Sequence, residues 1–189
     1  FDRDADAARN KINDKRFTLV QHNFKYLKNF LKYYNAIPVD GVIADLGVSS
    51  HQFNESSRGF VFRMDSVLDM RMDTSEKRTA AHVINNYSQD QLHKIFGIYG
   101  EIKNARALAK TIVAARLTPI TTTSKLVAAI ESCINKRNRN QYLAQVFQAI
   151  RIEVNNEMEC LRFFLDQCNK VIKKGGRLVV ISYHSLEDR

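Results

Sequence analysis

The sequence has few of the residues that mark metal-binding or disulfide-rich proteins, and it has no long apolar run. Its 189 residues include three cysteines, Cys133, Cys160 and Cys168, without Cys-x-x-Cys or His-rich spacing. This pattern favours buried free thiols, and no metal is expected. No apolar run approaches the roughly 20 residues that cross a bilayer. No signal peptide is visible either, so a cytoplasmic protein is expected.

Acidic residues are the scarcer of the two charged classes. The chain contains 29 Lys and Arg against 20 Asp and Glu, which gives a formal net charge of +9. Such an excess favours a polyanionic partner, and the clustering of the charges favours nucleic acid. A basic surface that is merely solvated is the alternative. Apolar residues make up 44% of the chain, as is usual for a globular protein that buries a core.

Helical periods alternate with strand patterns at both ends of the chain. "RFTLVQHNF" (16–24) predicts a short strand, residues 26–34 a helix and residues 39–46 a further strand. Towards the other end, a helix is expected to end at Gly175 and Gly176, before a strand over residues 178–183. The alternation predicts an α/β domain with a parallel sheet, and the apolar run "GVIADLGV" predicts a strand buried on both faces.

The middle of the chain has a different pattern. From about Thr74 to Tyr142 only helical periods are found, which predicts an all-helical insertion in the α/β frame. Ser88 and Gln91 have the spacing of a capping box. An apolar stripe is predicted for Ile102, Ala105, Ala109, Ile112 and Val113. A further helix, "SKLVAAIESCI", leads directly into the basic tract "NKRNRN".

Polar side chains fall at the ends of the predicted strands, where open parallel sheets bind their ligands. They are Asp2, Asp45, and His184 with Ser185. An acidic residue at the position of Asp2 suits the hydroxyl groups of a ribose, although it also suits the N-cap of the following helix.

Asp45 follows a buried run, where a carboxylate is costly unless it is hydrogen-bonded or faces a polar site. Gly47 permits the close approach of a ligand. Nearby neutral donors and acceptors are Ser49, Ser50 and Gln52. A structural turn capped by Asp45 is the alternative.

Aromatic and arginine side chains supply two more candidates. Phe24 could stack on a flat ring, but its residue type alone favours the core. In "SSRGFVFRMDSVLDMRMD", Arg58, Arg63 and Arg71 are interleaved with Phe60 and Phe62, a combination that holds phosphates and stacks on bases. An amphipathic loop packed on the sheet is the alternative.

Five stretches of the chain stand out together: "DGVIADLGVSS", "RGFVFRMDSVLDMRMD", "YGEIKNARALAKTIVAAR", "FQAIRIEVNNEM" and "GGRLVVISYHSLEDR". Together they resemble one family, the bacterial small-subunit ribosomal RNA cytosine-N4 methyltransferases. The resemblance implies a Rossmann-like domain, residues 1–72 and 146–189, that binds S-adenosylmethionine. It also implies a helical substrate-recognition insertion, residues 73–145. The family's glycine-rich loop and final strands are missing, so a chain truncated at both ends is expected.

The resemblance also implies roles for individual residues. The implied cofactor-binding residues are Asp2, Phe24, Asp45 and Gln52. The candidate catalytic residues are Asp45, Ser49, Ser50 and His184. The clustering of the basic residues, independently of the resemblance, gives the candidate RNA-binding residues Arg58, Phe60, Arg63, Lys103, Arg106, Lys110, Lys136, Arg137 and Arg139. The implied partner is ribosomal RNA within the small subunit, with a homodimer left open and no membrane expected.

The implied reaction is direct displacement, in which the exocyclic amine of cytosine attacks the methyl group of a sulfonium. Positioning and desolvation supply most of the catalysis, and no cysteine nucleophile is expected. Leu46, Gly47 and Val48 stand where many amino-methyltransferases have a Pro-Pro-aromatic motif, so the acceptor for the amine is left open. The rivals are a nicotinamide oxidoreductase, a DNA amino-methyltransferase and a non-catalytic ribosome-assembly factor.

Overall fold

The structure, a computed structural model, describes residue 12, residues 14–47 and residues 58–188. The chain divides into two compact units. Residues 1–48 and 156–189 form one, called here the sheet unit, and residues 49–155 form the other, called the helical unit. The predicted insertion, residues 73–145, lies within the helical unit. The assignment of a separate function to each part stays a prediction.

Among its described residues, the sheet unit contains two parallel strands, each preceded by a helix. Helix α1, Leu27–Tyr33, leads to strand β1, Val39–Asp45, and a later helix, Glu157–Val171, leads to strand β2, Ile172–Ile181. The strands pair in parallel, with Asp45 opposite Ile181. The predicted mixed α/β fold with a parallel sheet is therefore confirmed.

One face of this sheet packs against helices. Leu46 is buried with three residues of the helix before β2, namely Leu161, Phe164 and Cys168. Leu27, Val42, Ala44, Met158, Ile172 and Val180 pack around this cluster. On the other face Ile43 is 77% exposed. The predicted burial of β1 on both faces is thus wrong within the described residues, which cover only one face with a helical layer.

Two further predictions for the sheet unit are wrong. Residues 17–21 form no strand, and turns lie at both ends of the segment: the Phe17 amide donates to the carbonyl of Asp14, and the His22 amide donates to that of Val20. The helix before β2 ends at Val171, not at the glycines. Ile172 takes extended dihedrals and pairs with Val39, and the glycines lie within an irregular part of β2.

The helical unit contains five helices among its described residues. They are α2, Ala80–Asn86; α3, Gln89–Ile98; α4, Ala105–Ala115; α5, Thr123–Ile130; and α6, Arg139–Asn155. The helix Glu157–Val171 of the sheet unit is accordingly α7. Ser88 and Gln91 form the predicted capping box at the start of α3. The Thr79 and Thr122 side chains cap α2 and α5.

The predicted apolar stripe is confirmed except at Val113, which is half-buried, and Ile102 is buried just before α4 begins. Ala105, Ala109 and Ile112 are buried, and Leu108 completes the buried face. The helix places Arg106 and Lys110 on its exposed side. Its amphipathic pattern therefore presents positive charge to solvent while the opposite side supplies the core. In the described part of the chain, no helix is both long and apolar enough to span a membrane.

Candidate functional site

The carboxyl ends of β1 and β2 bring Asp45 and Tyr183 together. Tyr183 follows the last residue of β2 by two positions, and its hydroxyl group donates to Oδ1 of Asp45 over 3.0 Å. Asp45 is exposed. The strand therefore ends in a carboxylate that is hydrogen-bonded on one side and open to solvent, as a ligand-binding edge requires.

Gly47 leaves room for the Tyr183 ring. Its φ angle is +88°, which L side chains rarely adopt, and a Cβ added there would lie 3.1 Å from Cδ2 of Tyr183. The hydrogen bond to the Asp45 carboxylate raises the pKa of Tyr183, and so does the negative charge itself. Tyr183 therefore remains a protonated donor to Asp45 at neutral pH.

His184 lies beside two carboxylates. Its Nε2 is 3.3 Å from Oε1 of Glu187, and Glu157, the first residue of α7, completes a group whose ligand atoms lie within 4.8 Å of one another. The side chains of His184 and Glu187 are only 10% and 4% exposed. His184 thus lies close to Tyr183 along the chain but faces acidic side chains.

Phe24 begins a single 3₁₀ turn, Phe24–Tyr26, that the side chain of Asn23 caps. Its ring meets the ring of Phe164 edge to face at 5.4 Å, yet the residue stays 42% exposed. One side of the ring supports the core while another remains accessible. The other predicted site residues of this unit and its boundary, Asp2, Ser49, Ser50 and Gln52, lie outside the described residues.

Arg58 and Phe60 belong to the inner side of a loop in the helical unit. The Arg58 guanidinium donates to the backbone carbonyls of Arg71 and Met72 and lies over the Phe60 ring, 5.6 Å from its centre. Phe60 is 8% exposed. These side chains hold the loop together in the geometry observed, whereas Arg63 is exposed.

The loop "DMRMD", residues 69–73, is stabilised by its own charged pair. Arg71 Nε donates to Oδ1 of Asp69 over 2.7 Å, and Arg71 also donates to the carbonyls of Thr74 and Glu76. Burial acts to raise the pKa of Asp69, but the hydrogen bonds from Arg71 outweigh it, and the pKa is lowered.

Asn155, at the end of α6, holds the same loop. Its Nδ2 donates to the carbonyl of Met70 over 2.8 Å, and its Oδ1 accepts from the amide of Met72 over 2.7 Å. Met70 is fully buried and has a φ angle of +59°, a conformation that costs energy for a residue other than glycine. The amide of Asn155 therefore satisfies the backbone on both sides of a strained residue.

Apart from Arg58 and Arg63, the predicted RNA-binding lysines and arginines form two groups on the helical unit. The first belongs to α4 and the residues before it, and comprises Lys103, Arg106 and Lys110. The second surrounds the 3₁₀ turn Lys136–Asn138 and comprises Lys136, Arg137 and Arg139. All are exposed except Arg139, which is partly covered and pairs with Glu131 over 3.1 Å.

Asn104 connects these two basic groups. Its Nδ2 donates to the carbonyl of Cys133 over 3.1 Å, and its Oδ1 accepts from the hydroxyl of Tyr142 over 3.0 Å. Cys133 and Tyr142 flank the second group in the sequence. Burial raises the pKa of Tyr142 to about 12, so this donor keeps its proton at neutral pH. The start of α4 is thereby tied to both sides of the basic turn.

Sequence reasoning missed the residues whose roles depend on distant partners. Tyr183 stands next to His184 in the motif "SYHSLEDR", and Glu187 follows His184 by three positions. Their place in this motif could have identified both as candidate site residues. Glu157 and Asn155 carry no local signal, because their partners lie far away along the chain.

The described residues fit part of a site for S-adenosylmethionine. Asp45 offers an exposed carboxylate, which suits a cationic ligand or one rich in hydroxyl and amino groups, and Phe24 offers a partly exposed ring. Both belong to the sheet unit, near the carboxyl ends of parallel strands or beside the core that supports them.

Comparison with known proteins gives a consistent result. A sequence profile described as the MraW methylase family matches residues 1–189. A protein of Christiangramia forsetii named ribosomal RNA small subunit methyltransferase H is 54% identical over 190 residues. Proteins of the same name from Phocaeicola vulgatus and Bacteroides thetaiotaomicron are 52% and 51% identical. Each match covers 100% of this chain, and the chain spans 63%, 62% and 62% of these relatives.

Proposed function

The chain belongs to the MraW methylase family, and we propose that it takes part in the S-adenosylmethionine-dependent methylation of a cytidine at the exocyclic N4 of small-subunit (16S) ribosomal RNA. The names of the relatives support ribosomal RNA of the small subunit as the substrate. The choice of the cytosine amine rests on the motifs that resemble the cytosine-N4 enzymes. A cytoplasmic protein without a membrane partner is part of the same proposal.

The observation that carries the catalytic part is the hydrogen bond between Tyr183 and Asp45. When bound, S-adenosylmethionine would supply a methyl group whose leaving group is a neutral thioether. Asp45, oriented by Tyr183, would accept a hydrogen bond from the cytosine amine, which makes the nitrogen lone pair more available for the methyl group. Asp45 would then take up the proton that N4 loses on methylation. Ser49 and Ser50 are the alternative acceptors.

His184 is the weaker of the catalytic candidates. Its side chain is nine-tenths buried beside Glu187, while Asp45 is exposed at the strand end. A general base must reach the proton that it removes. We therefore assign His184 to the support of the site and Asp45 to the reaction.

The test compares methylation by the wild-type protein with that by Asp45→Asn. The conversion of the carboxylate to an amide should lower kcat by about 100-fold, a usual loss for one acid–base group. Asp40→Asn is the matched control: Asp40 lies on the same strand, 88% exposed, and its only assigned role is a surface ion pair with Lys173. Tyr183→Phe should lower kcat by about tenfold, since it removes only the orienting bond. Unchanged turnover in Asp45→Asn would exclude Asp45 as the acceptor.

Mapping the methylated atom tests the substrate and the reaction together. The protein and radiolabelled S-adenosylmethionine are incubated in three parallel reactions, one with small ribosomal subunits, one with free ribosomal RNA and one with DNA. The modified nucleoside from each reaction is identified by mass spectrometry. The proposal expects N4-methylcytidine from ribosomal RNA. Label in DNA would favour a DNA amino-methyltransferase. RNA binding without any label would favour an assembly factor, and binding of nicotinamide cofactor instead would favour an oxidoreductase.

For the RNA itself, we infer that the two basic groups of the helical unit contact the phosphates. Their support is geometric: Lys103, Arg106 and Lys110 are exposed, and Asn104 ties them to the turn that carries Lys136 and Arg137. Because hydrogen bonds fix the segments that carry these exposed cations, the segments need little further ordering when the cations contact phosphates. Arg63 is the exposed candidate within the aromatic loop.

Salt-dependent binding tests this surface. The triple replacement of Lys103, Arg106 and Lys110 by Gln should weaken RNA binding and reduce the slope of log K against log salt by about 2, because each lost phosphate contact contributes roughly 0.7–0.9. A control triple replacement of Lys28, Lys32 and Lys170, which are exposed on helices of the sheet unit, removes the same charge. Equal effects from both triples would mean that only net charge matters.

A further inference from the structure

The turn after β2 brings metal-binding side chains together at an unexpected place. His184 and Glu187 are three residues apart, and the amide of Glu187 donates to the carbonyl of His184 over 3.1 Å, which closes the turn. Glu157 reaches the same point from the first turn of α7. All three residues belong to the sheet unit, and they are the only such group found among the described residues.

The burial of this group calls for a positive partner. The Glu187 side chain is 4% exposed, and its Oε2 accepts from the amide of Tyr183 over 2.9 Å while Oε1 faces His184. The His184 side chain is 10% exposed, and neither ring nitrogen makes a hydrogen bond within the described residues. A buried imidazole without a hydrogen-bonded partner, beside a buried carboxylate, is costly unless a proton or a metal ion compensates it.

The distances suit a small divalent ion. Zinc bound to nitrogen and oxygen at about 2.0–2.2 Å in tetrahedral geometry places its ligand atoms roughly 3.4 Å apart. Nε2 of His184 and Oε1 of Glu187 are separated by 3.3 Å, and all the ligand atoms lie within 4.8 Å of one another. Three protein ligands would leave a fourth position for water. One imidazole and two carboxylates favour a first-row transition metal over magnesium, which prefers oxygen alone.

We propose that Glu157, His184 and Glu187 bind one divalent transition-metal ion of the zinc type. The ion joins the turn after β2 to the start of α7. Because the Tyr183 amide donates to Glu187 and its hydroxyl to Asp45, the same ion fixes the residue that orients the Asp45 carboxylate. The role is structural and does not depend on the reaction proposed for the chain. It also replaces the expectation, drawn from the sequence, that no metal is bound.

The test is calorimetric titration of the EDTA-treated protein with zinc chloride, with magnesium chloride for comparison. One zinc ion per chain is expected, with a rise in Tm and no comparable response to magnesium. Glu157→Gln should weaken zinc binding by at least about tenfold, as should His184→Gln and Glu187→Gln. Glu159→Gln is the matched control, since Glu159 lies in the same first turn of α7 and is not part of the group.

Each outcome bears on the proposal. Circular dichroism of the metal-free variants first establishes that they fold. If His184→Gln does not fold, Glu157→Gln, an exchange on the first turn of a helix, carries the test. Absence of saturable zinc binding would overturn the proposal and leave only the direct contact between His184 and Glu187. So would binding that survives Glu157→Gln. Cobalt substitution adds a spectroscopic check: a thiolate charge-transfer band would assign the metal to cysteine and also overturn the proposal.

Discussion

Replacement of Asn155 by Ala tests how the loop of residues 69–73 is held. The wild-type amide makes one hydrogen bond to the carbonyl of Met70 and one to the amide of Met72. A further bond, from the Asn155 side chain to the Arg151 carbonyl, lies within α6. Alanine would leave two partly buried backbone groups without a partner, each at a cost of about 1–3 kcal/mol. Because water can reach part of this loop, we expect the lower half of the sum, about 2–4 kcal/mol.

The strain at Met70 adds to this expectation. Its positive φ angle persists only because the surroundings hold it, so the loop should relax once Asn155 is truncated. Asn155→Asp tests the two hydrogen bonds separately. Its carboxylate can still accept from the Met72 amide, but it has no donor for the Met70 carbonyl and repels that oxygen. We expect it to be at least as destabilising as alanine. Asn140→Ala, at an exposed position of the same helix, should change stability by less than about 0.5 kcal/mol.

Urea unfolding followed by the helical circular dichroism signal gives the free-energy difference, and hydrogen exchange gives its location. Peptides that cover residues 66–78 should exchange faster in Asn155→Ala, whereas peptides from β1 and β2 should keep their protection. A loss of less than 0.5 kcal/mol in Asn155→Ala, or a uniform rise in exchange across the chain, would refute the reasoning. In that case the Arg71–Asp69 pair and the bonds from Arg58 to the carbonyls of Arg71 and Met72 would hold the loop without Asn155.

Three more predictions follow from backbone geometry and from pKa values. Gly59→Ala should destabilise the protein by about 2–4 kcal/mol and Gly175→Ala by only about 1, as judged by urea unfolding, because both have positive φ but only at Gly59 would a Cβ overlap a backbone carbonyl. Asp69 has a lowered pKa, so the stability that its carboxylate contributes is present above the unfolded pKa of about 3.9 and is lost as the pH falls through the folded pKa. The difference in unfolding free energy between wild type and Asp69→Asn should therefore become smaller as the pH is lowered. Tyr142 has a raised pKa of about 12, so its contribution is present below about pH 10 and fades as pH rises towards 12; Tyr142→Phe should remove that part of the pH dependence.

The sequence predicted features that depend on neighbours along the chain. The capping box at Ser88 and the buried stripe of α4 follow from spacing within one or two helical turns, and both are present. Asp45 was singled out because it interrupts an apolar strand, and it does end β1. Local propensity and burial agree in these segments, so the pattern alone is sufficient.

The features that could not be predicted are set by contacts between distant segments. Tyr183 and Asp45 are separated by 138 positions, and no spacing rule joins them. The end of α7 was wrong for a related reason. Gly175 and Gly176 are strong helix-ending residues, but pairing of Ile172 with β1 ends the helix earlier. The preference of the glycines for a helix end did not decide this boundary, because pairing with a strand can also satisfy the backbone hydrogen-bonding groups.

The arginines show why a count of positive charge is a poor guide to an RNA surface. Arg71 is held by Asp69, and the Arg58 guanidinium donates to backbone carbonyls, so these charges already serve the loop. Arg139 shares its charge with Glu131. Exposed residues such as Lys103 and Arg106, by contrast, keep their side chains in solvent, where a phosphate can displace water. The net charge of +9 is therefore a property of the whole chain, and only the exposed part of that charge is available to the RNA proposed as its substrate. A basic loop rich in aromatic residues can owe its composition to its own folding.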